Sequence, residues 1–339
     1  MLRARRLSLP PQKDPFPVRW PIFWFTPRMA FSTHGRSLFY SCWPAIRSAA
    51  REHHPEVLFA TWLYPLGQAA LLAARRLNLP MVIKMHGSDL LVHKNKPAIL
   101  PILRQVLGEA AAVIAVSPNL AQEAETQGAD PGKIFLVPNG VDQDLFAPQD
   151  REAARKRLGL SGQGPLALFV GRLVPGKGLE MCLEALAALP QARLVVVGNG
   201  PLRSDLEAQA QRLNLGQRVI WARAQPHADI PAYLAAADVL VLPSMSEGEP
   251  NVILEALSCS RPVVASLVGN IAGMVEHGRQ GLLFPAGDQE LFVKYLGEAL
   301  DRSWDPEMLR QSVAGRSWAG GARKILKVLA GAGGNKLNP

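Results

Sequence analysis

Cysteine is scarce in this sequence, and its three positions are far apart. Cys42, Cys182 and Cys259 are the only cysteines among 339 residues. Separated cysteines in odd number form neither the paired spacing of a zinc site nor a disulfide framework. The sequence therefore predicts a protein of a reducing compartment, and we expect it in the cytoplasm.

Long hydrophobic runs are also rare. Residues 1–6 include three arginines and lack the apolar core of a signal peptide. Residues 57–74 carry no charge over 18 positions, close to the length of a membrane span. Pro65, Gly67 and Gln68 interrupt this run, so it predicts a strand, a turn and a buried helix instead.

Acidic residues are nearly absent from the first part of the chain. Residues 1–51 contain nine Lys or Arg and a single acid, Asp14, and so contribute +8 of the net charge of +9. Nine aromatic side chains share this segment: Phe16, Trp20, Phe23, Trp24, Phe25, Phe31, Phe39, Tyr40 and Trp43. This composition indicates contact with an anionic membrane surface or an anionic acceptor, and a solvated basic face over buried aromatic residues is the alternative. No nucleic-acid-binding motif accompanies the charge, so we expect no nucleic-acid partner.

From residue 55 onward, short apolar runs alternate with helical patterns. Strands are predicted at 57–61, 81–85, 112–116, 134–137, 167–171, 193–197, 218–222, 238–242, 262–265 and 281–284. Helices are predicted at 66–77, 97–107, 118–127, 151–158, 178–189, 201–213, 230–236, 250–258, 271–277 and 289–300. Such alternation predicts an α/β protein with parallel sheets covered by helices on both faces.

The alternation falls into two halves, which predict two Rossmann-like domains with a cleft between them. We expect the first domain over residues 1–148 and the second over residues 149–315. A final helix over residues 316–330 would pack back on the first domain. The Gly- and Asn-rich residues 331–339 should form a disordered tail.

Two glycine-rich turns follow strands of the second half. Residues 170–178 read Val-Gly-Arg-Leu-Val-Pro-Gly-Lys-Gly, and Arg172 and Lys177 add two positive charges there. Glycines let backbone N–H groups approach an anion, and the following helix offers its positive N-terminus, so we predict a phosphate or diphosphate site. The second turn places Gly198 and Gly200 in a G-x-G pattern, which fits a structural turn as well as ligand contact.

Two carboxylates, Glu247 and Glu255, lie eight positions apart around a strand-to-helix turn. The first follows the strand predicted at 238–242, and the second lies in the next helix. Ligands of open α/β sheets bind at the carboxyl ends of the strands. Each carboxylate can accept a pair of hydrogen bonds from vicinal hydroxyls, as sugars and riboses present them.

Two further patterns contain residues suited to chemistry. His86, in Met-His-Gly-Ser-Asp at 85–89, follows a strand of the first half. Asp142 and Asp144 form a D-x-D pattern, which can hold a metal bound to a nucleotide diphosphate. Because the glycine-rich turn already supplies two cations, we expect no catalytic metal.

Together these motifs resemble the retaining, nucleotide-sugar-dependent glycosyltransferases of family 4, which have the GT-B fold. The carboxylate pair resembles the family's E-x7-E motif, with Gly248, Pro250 and Ala256 in place and Glu249 where an aromatic residue is usual. The turn at 170–178 resembles its GR-x-x-x-x-KG diphosphate loop, and the residues around His86 resemble its H-G-x-D. The resemblance covers roughly residues 55–330.

The resemblance implies retaining transfer from a nucleotide diphosphate sugar, with UDP favoured over GDP, and no cofactor. A glycan or lipid-linked acceptor in cell-surface polysaccharide synthesis would receive the sugar, at the inner face of the membrane in the lipid-linked case. The implied catalytic residues are His86, Arg172, Lys177 and Glu247. The implied donor-binding residues are Gly171, Gly198, Gly200, Glu247, Gly248, Asn251 and Glu255. In this scheme Glu255 holds the ribose, and Glu247 with His86 holds the sugar.

One feature departs from the family. Its first domain opens with a strand, a Gly-rich loop and a helix, where this chain has Arg-, Pro- and aromatic-rich sequence. The departure leads us to expect a truncated first domain, through a misassigned start or as a degenerate remnant. It leaves two alternatives open: a non-catalytic nucleotide-sugar-binding or scaffold subunit, and a GT-B sugar-nucleotide epimerase.

Overall fold

The computed structural model describes residues 3–4, 18–25, 30–160, 162 and 164–334. It divides the chain into two compact units. The first unit combines Met1–Pro138 with Ala322–Pro339, and the second is Asn139–Gly321. The boundary expected after residue 148 falls inside the second unit, and the expected disordered tail lies mostly outside the described residues.

The first unit contains a parallel sheet of four strands. The described strands of the whole unit are β1 (Arg3–Ala4), β2 (Trp24–Phe25), β3 (Leu58–Thr61), β4 (Met81–Lys84), β5 (Ala112–Ala115) and β6 (Ile134–Leu136). Its helices are α1 (His34–His53), α2 (Gln68–Leu77), α3 (Ser88–Leu91), α4 (Leu100–Glu109) and α5 (Pro118–Thr126). The sheet has the order β3-β4-β5-β6, and β1 and β2 form a separate antiparallel pair. Every residue of β4 and β5 is buried, as a sheet covered on both faces requires.

The second unit contains a larger parallel sheet. Its strands are β7 (Leu166–Val170), β8 (Arg193–Val197), β9 (Val219–Arg223), β10 (Val239–Leu242), β11 (Val263–Ser266) and β12 (Gly281–Phe284). Its helices are α6 (Arg151–Arg157), α7 (Leu179–Ala188), α8 (Arg203–Arg212), α9 (Ile230–Ala236), α10 (Asn251–Ser258), α11 (Gln289–Asp301) and α12 (Pro306–Gln311). Leu166 and Leu168 of β7 face one hydrophobic core, and Ala167 and Phe169 face the other. The two α/β units with parallel sheets confirm the predicted fold class.

The strand order of the second unit determines where a ligand can bind. The sheet runs β12-β11-β10-β7-β8-β9 and is parallel throughout. From β7 the chain builds outward in one direction to β9, and from β10 it builds in the other. The order therefore reverses between β7 and β10, which creates the crevice where open α/β sheets bind ligands. The loops after β7 and β10 are the two that flank it.

The last helix, α13 (Trp318–Ala332), packs on the sheet of the first unit. Ile325, Val328 and Leu329 lie against Val82 of β4 and Ile114 of β5. Val328 and Leu329 follow Ile325 by three and four residues, a spacing that places all three side chains on one face of the helix. Their apolar stripe covers the face of the sheet opposite to the main core of this unit.

Helix α1 was not predicted from the sequence. It runs for 20 residues through the basic, aromatic-rich segment. Phe39, Trp43 and Ile46 lie on one face and pack with Ala69 and Ala73 of α2. Their spacing of four and three residues is the signal that could have revealed the helix. A glycine and an internal proline obscure it.

Elsewhere the predicted strands coincide with β3 to β12 to within one residue at each end. The helix predicted at 271–277 is wrong, because only Ile271–Gly273 forms a short 3-10 turn. Gly273 disfavours a longer helix, because glycine is a poor helix former. The Nδ1 atom of His277 accepts a hydrogen bond from the Leu283 N–H at 3.0 Å, which turns the chain toward β12. The uncharged run at 57–74 forms β3, a turn and part of α2. Among the described residues, no helix has both the length and the apolar character needed to cross a membrane.

Candidate active site

The loops after β7 and β10 meet at the point where the strand order reverses. The Met245 N–H donates to the Gly176 carbonyl at 2.8 Å. Gly178 has φ of +73°, and a Cβ atom there would lie 2.0 Å from the Pro243 carbonyl oxygen. Only glycine permits both this backbone conformation and this approach. The loop after β7 therefore needs glycine at position 178 to pack against the backbone of the loop after β10.

The G-x-G turn after β8 supports the same loop from its other side. A Cβ atom on Gly198 would lie 1.8 Å from the Gly171 carbonyl oxygen, and one on Gly200 would lie 2.1 Å from that of Leu173. These close approaches account for both glycines by backbone packing. Contact of Gly171, Gly198 or Gly200 with a donor stays a prediction.

The two predicted cations lie in the loop after β7. Arg172 is exposed, whereas the Lys177 side chain is 30% exposed. The Lys177 Nζ atom lies 2.7 Å from Glu247 Oε1, on the loop after β10. Helix α7 begins directly after this loop, and no side chain caps its N-terminus. Arg172 and the first N–H groups of α7 carry positive charge here, whereas the charge of Lys177 is paired with that of Glu247.

Glu247 is held from two directions. Its Oε1 atom accepts from Lys177 and from the Ser244 hydroxyl, the latter at 2.7 Å. The carboxylate is 10% exposed, so these two donors determine its orientation. Ser244 was not singled out in the sequence, although it lies three positions before the motif.

Glu255, the second carboxylate of the pair, lies on α10. It is 13% exposed, and its Oε1 atom lies 3.0 Å from His227 Nε2. Burial raises the pKa of the Glu255 carboxyl above its usual value, while the hydrogen bond and the charge of His227 act in the opposite direction. The His227 ring packs on Phe146, with ring centroids 5.0 Å apart. His227 was missed because no local pattern links it to a residue 28 positions away.

The start of α10 contributes two further predicted residues. The Gly248 carbonyl accepts a hydrogen bond from the Asn270 N–H at 2.9 Å. Asn251 is the first residue of the helix, and Pro250 precedes it without a side-chain cap. The buried Oδ1 atom of Asn251 accepts no hydrogen bond within the described part of the chain. An unpartnered polar atom beside free helical N–H groups is suited to a ligand that supplies hydroxyls or anionic oxygens.

Glu249, at the position where the sequence departs from the family, is fully buried. Its side chain has no exposed surface. The carboxylate accepts from the Asn139 N–H at 2.7 Å, from Arg316 at 2.7 Å and from Asn270 Nδ2 at 3.2 Å. Each donor belongs to a different segment of the second unit.

His86 belongs to the first unit, in the loop that follows β4. Asp89 is buried, and its Oδ1 atom accepts from the backbone N–H groups of His86 and Gly87 at 3.1 and 2.9 Å. Burial and the positive charge of Lys84 lower the pKa of His86 below its usual value, while Asp89 acts in the opposite direction. The lowered pKa favours the neutral imidazole, which can both donate and accept hydrogen bonds.

An exposed tryptophan that the sequence did not reveal lies beside His86. The ring centroids of Trp62 and His86 are 5.5 Å apart, and Trp62 is 43% exposed. Trp62 has φ of +74°, a conformation that costs a non-glycine residue energy. Strained residues cluster at functional sites. The strain and the exposed ring make Trp62 a candidate ligand contact at the end of β3.

Asp142, the first residue of the D-x-D pattern, hydrogen-bonds to the backbone. Asp142 Oδ1 accepts from the N–H groups of Asp144 and Leu145 at 3.1 and 3.0 Å, which forms a local turn. Within the described ranges, no three His, Cys, Asp or Glu side chains are grouped to hold a metal ion.

Comparison with known proteins identifies the family of the chain. Residues 150–317 match the family model of glycosyl transferases group 1, and residues 6–145 match that of glycosyltransferase family 4. The chain is 34% identical to TuaC of Bacillus subtilis strain 168, a glycosyltransferase named for teichuronic acid biosynthesis, over 76% of the chain and 65% of the relative. It is 32% identical to D-inositol 3-phosphate glycosyltransferase 1 of Catenulispora acidiphila, over 77% of the chain and 69% of the relative.

Solved structures share the fold. HepE of Anabaena, in complex with UDP, has a TM-score of 0.74 at 24% identity, over 88% of this chain and 84% of HepE. Sucrose-phosphate synthase from Thermosynechococcus elongatus has a TM-score of 0.73 at 24% identity, over 91% and 78% of the two chains. The chain spans less than two thirds of the length of TuaC. With both of its halves matched by family models and a relative above 30% identity covered over two thirds, the chain belongs to glycosyltransferase family 4 and has the GT-B fold.

Proposed function

We propose that this chain transfers a sugar from a nucleotide diphosphate sugar to an acceptor hydroxyl with retention of anomeric configuration. The observation that carries the proposal is the Lys177–Glu247 pair at the point where the strand order reverses, with Glu255 on the helix that follows. It joins a cation suited to a diphosphate with carboxylates suited to vicinal hydroxyls. All three lie at one edge of one sheet.

In the proposed complex, the diphosphate lies between the loop after β7 and the N-terminus of α10. Arg172 and Lys177 supply full positive charges, and free N–H groups at the starts of α7 and α10 supply partial ones. Glu255 accepts hydrogen bonds from the ribose hydroxyls. Glu247 accepts them from the sugar, after Lys177 has turned toward the phosphate.

The donor is proposed to carry UDP rather than GDP. HepE, which shares the fold, is described in complex with UDP, with UDP-glucose, and with UDP and glucose. UDP-sugars are therefore the first donors to test. The nucleotide sugar is a co-substrate, and the proposal includes neither a metal nor another cofactor.

The proposed chemical step is a substitution on one face of the donor sugar. Negative charge builds on the diphosphate oxygen as the bond to the sugar breaks, and Lys177 and Arg172 stabilise that charge. The acceptor hydroxyl attacks from the face that the diphosphate leaves, and the departing oxygen takes its proton. The same face is used for departure and attack, so the configuration is retained without a nucleophile from the protein.

The acceptor is proposed to be a glycan or a lipid-linked glycan of cell-surface polysaccharide synthesis. The similarity to TuaC, which is named for teichuronic acid biosynthesis, supports this proposal. A lipid-linked acceptor would require contact with an anionic membrane from the cytoplasmic side. Trp20 and Trp24 are 69% and 45% exposed, which leaves them available for this contact.

Calorimetry and product analysis test the proposal. The purified chain should bind UDP-glucose or another UDP-sugar, and should release UDP when a glycan acceptor is added. Lys177→Met should lower the rate of UDP release by about 10²- to 10³-fold, whereas Lys156→Met, on the exposed face of α6, should leave it unchanged. Binding without release with any acceptor would favour a scaffold subunit. Conversion of the sugar without release of UDP would identify an epimerase.

A further inference from the structure

We propose that Glu249 is a positioning residue that fixes the donor loop, defined here as residues 244–250, so that Glu247 meets the donor sugar. This inference rests on the proposed function. It concerns a residue that would touch neither the donor nor the acceptor. Its side chain is fully buried, and it lies two positions after Glu247.

Glu249 ties the donor loop to the two ends of the second unit. Asn139 is the first residue of that unit, and it donates through its backbone N–H to the carboxylate and through Nδ2 to the Glu249 carbonyl at 3.2 Å. Arg316 lies five positions before the last residue of the unit and donates to Oε1. The carboxylate thus binds two segments that lie 110 and 67 positions away from Glu249 in the sequence.

The two end segments are themselves joined, so Glu249 is attached to one fixed structure. The Val141 N–H donates to the Arg316 carbonyl at 3.0 Å. A Cβ atom on Gly140 would lie 2.5 Å from the Trp318 nitrogen, so these backbones touch. A rigid support of this kind can transmit its position to the loop.

A third contact closes the other side of the loop. Asn270 donates from Nδ2 to Glu249 Oε1 and from its backbone N–H to the Gly248 carbonyl. The neighbouring Gly269 has φ of +58°, and a Cβ atom there would lie 2.1 Å from the Glu247 carbonyl oxygen. The backbone on both sides of Glu249 is therefore held between Asn139 and Asn270.

The chemistry of the site requires a carboxylate. The two oxygens of Glu249 accept hydrogen bonds from three donors. A buried donor left without an acceptor would cost free energy of folding. An amide has one acceptor oxygen and two N–H donors. Glu249→Gln would therefore place a donor against Arg316 or against the Asn139 N–H, and the loop would shift to relieve the conflict. Because Glu247 lies on the same loop, the shift would displace its carboxylate.

The experiment compares Glu249→Gln with a matched control, Asp238→Asn. Asp238 also accepts from a backbone N–H, that of Leu166 at 2.7 Å, and from two arginines, Arg151 and Arg155. It lies just before β10, at the opposite end of the strand from the donor loop. We expect both variants to lose stability, but only Glu249→Gln to disturb the donor loop.

For each variant, calorimetry measures the affinity for UDP and for the UDP-sugar, and initial rates give kcat. We expect Glu249→Gln to lower kcat by about 10²-fold, the loss typical of a displacement of about 1 Å at a reacting centre. It should remove most of the affinity that the sugar adds to UDP while leaving the affinity for UDP unchanged. Asp238→Asn should change neither quantity for the folded protein.

Equal behaviour of the two variants per folded molecule would overturn the inference and leave Glu249 with a structural role alone. If Glu249→Gln does not fold, the double variant E249M/R316M replaces the ion pair by apolar side chains of similar length, which proteins often tolerate. This double variant also lacks the carboxylate that anchors the donor loop, so we expect the losses given for Glu249→Gln. Behaviour equal to that of Asp238→Asn would again overturn the inference. A wild-type protein that binds no nucleotide sugar would instead refute the proposed function itself, and this inference with it.

Discussion

Lys177 Nζ lies 2.7 Å from Glu247 Oε1, so the cation proposed for the diphosphate and the carboxylate proposed for the sugar neutralise each other in the free protein. Both side chains are mostly buried, and an unpaired charge there would be costly. In the proposed complex, donor binding exchanges this pair for two new ones: Lys177 turns to the phosphate, and Glu247 accepts hydrogen bonds from sugar hydroxyls.

Replacement of Lys177 should therefore affect turnover more than folding. Lys177→Ala should lower the rate of transfer by about 10²- to 10³-fold, the range for losing one preorganised donor to a developing charge. Initial rates of UDP release measure this loss, with Lys156→Ala on α6 as the control. Near-normal turnover in Lys177→Ala would remove Lys177 from the mechanism.

The two carboxylates should act at opposite ends of one donor. Glu255→Gln should weaken the binding of UDP and of the UDP-sugar alike, because both carry the ribose. Glu247→Gln should spare UDP and reduce only the additional affinity for the UDP-sugar. Calorimetry with both ligands separates these results, and equal loss of UDP binding in the two variants would show that the division of roles is wrong.

The pair of Glu255 and His227 predicts a pH dependence of nucleotide affinity. In the proposed complex, Glu255 accepts hydrogen bonds from the ribose hydroxyls best as a carboxylate, so nucleotide affinity should be lost as the pH falls through the pKa of Glu255. Because burial raises that pKa, the loss should begin at a higher pH than the usual glutamate value of about 4.3 would give. His227 opposes the shift, so His227→Ala should raise the pKa further and move the acidic limb to still higher pH.

Two variants control this measurement. Glu255→Gln has no carboxyl at this position, so the acidic limb that belongs to it should disappear. His227→Gln keeps an N–H donor without the charge and should fall between wild type and His227→Ala. An acidic limb that stays in place in His227→Ala would show that His227 does not set the pKa of Glu255.

Local patterns in the sequence were sufficient for the strands and for the loops at the site. The runs that form β7 and β10 and the glycines between β7 and α7 are short-range signals, because strand period and turn chemistry depend on neighbouring residues. The partners of the carboxylates were not predictable in this way. His227 lies 28 positions from Glu255, and Asn139 lies 110 positions from Glu249, so only the folded chain brings them together.

Trp62 yields a prediction that separates strain from binding. If the exposed ring packs on a sugar of the acceptor, Trp62→Ala should lower kcat/KM for the acceptor by about 2- to 12-fold, as expected for a lost aromatic contact of about 0.5–1.5 kcal/mol. Trp62→Phe should retain most of the activity. Because φ is +74°, Trp62→Gly should be more stable than Trp62→Ala by about 1 kcal/mol, although both lack the ring.

Denaturant unfolding and steady-state kinetics check these two effects separately. Equal stability of the Gly and Ala variants would show that the conformation of residue 62 relaxes without cost. Unchanged kinetics for the acceptor in Trp62→Ala would exclude the ring from binding.

The central claim, retaining transfer from a nucleotide diphosphate sugar, is tested most directly by proton NMR of the product as it forms. The chain is mixed with UDP-α-glucose, or with the UDP-sugar that it binds best, and with a glycan acceptor, and the anomeric proton of the new linkage is observed. We predict that the new linkage has the configuration of the donor, and that Lys177→Ala gives the same linkage about 10²- to 10³-fold more slowly. A linkage of inverted configuration, or an intact donor with every acceptor offered, would contradict it.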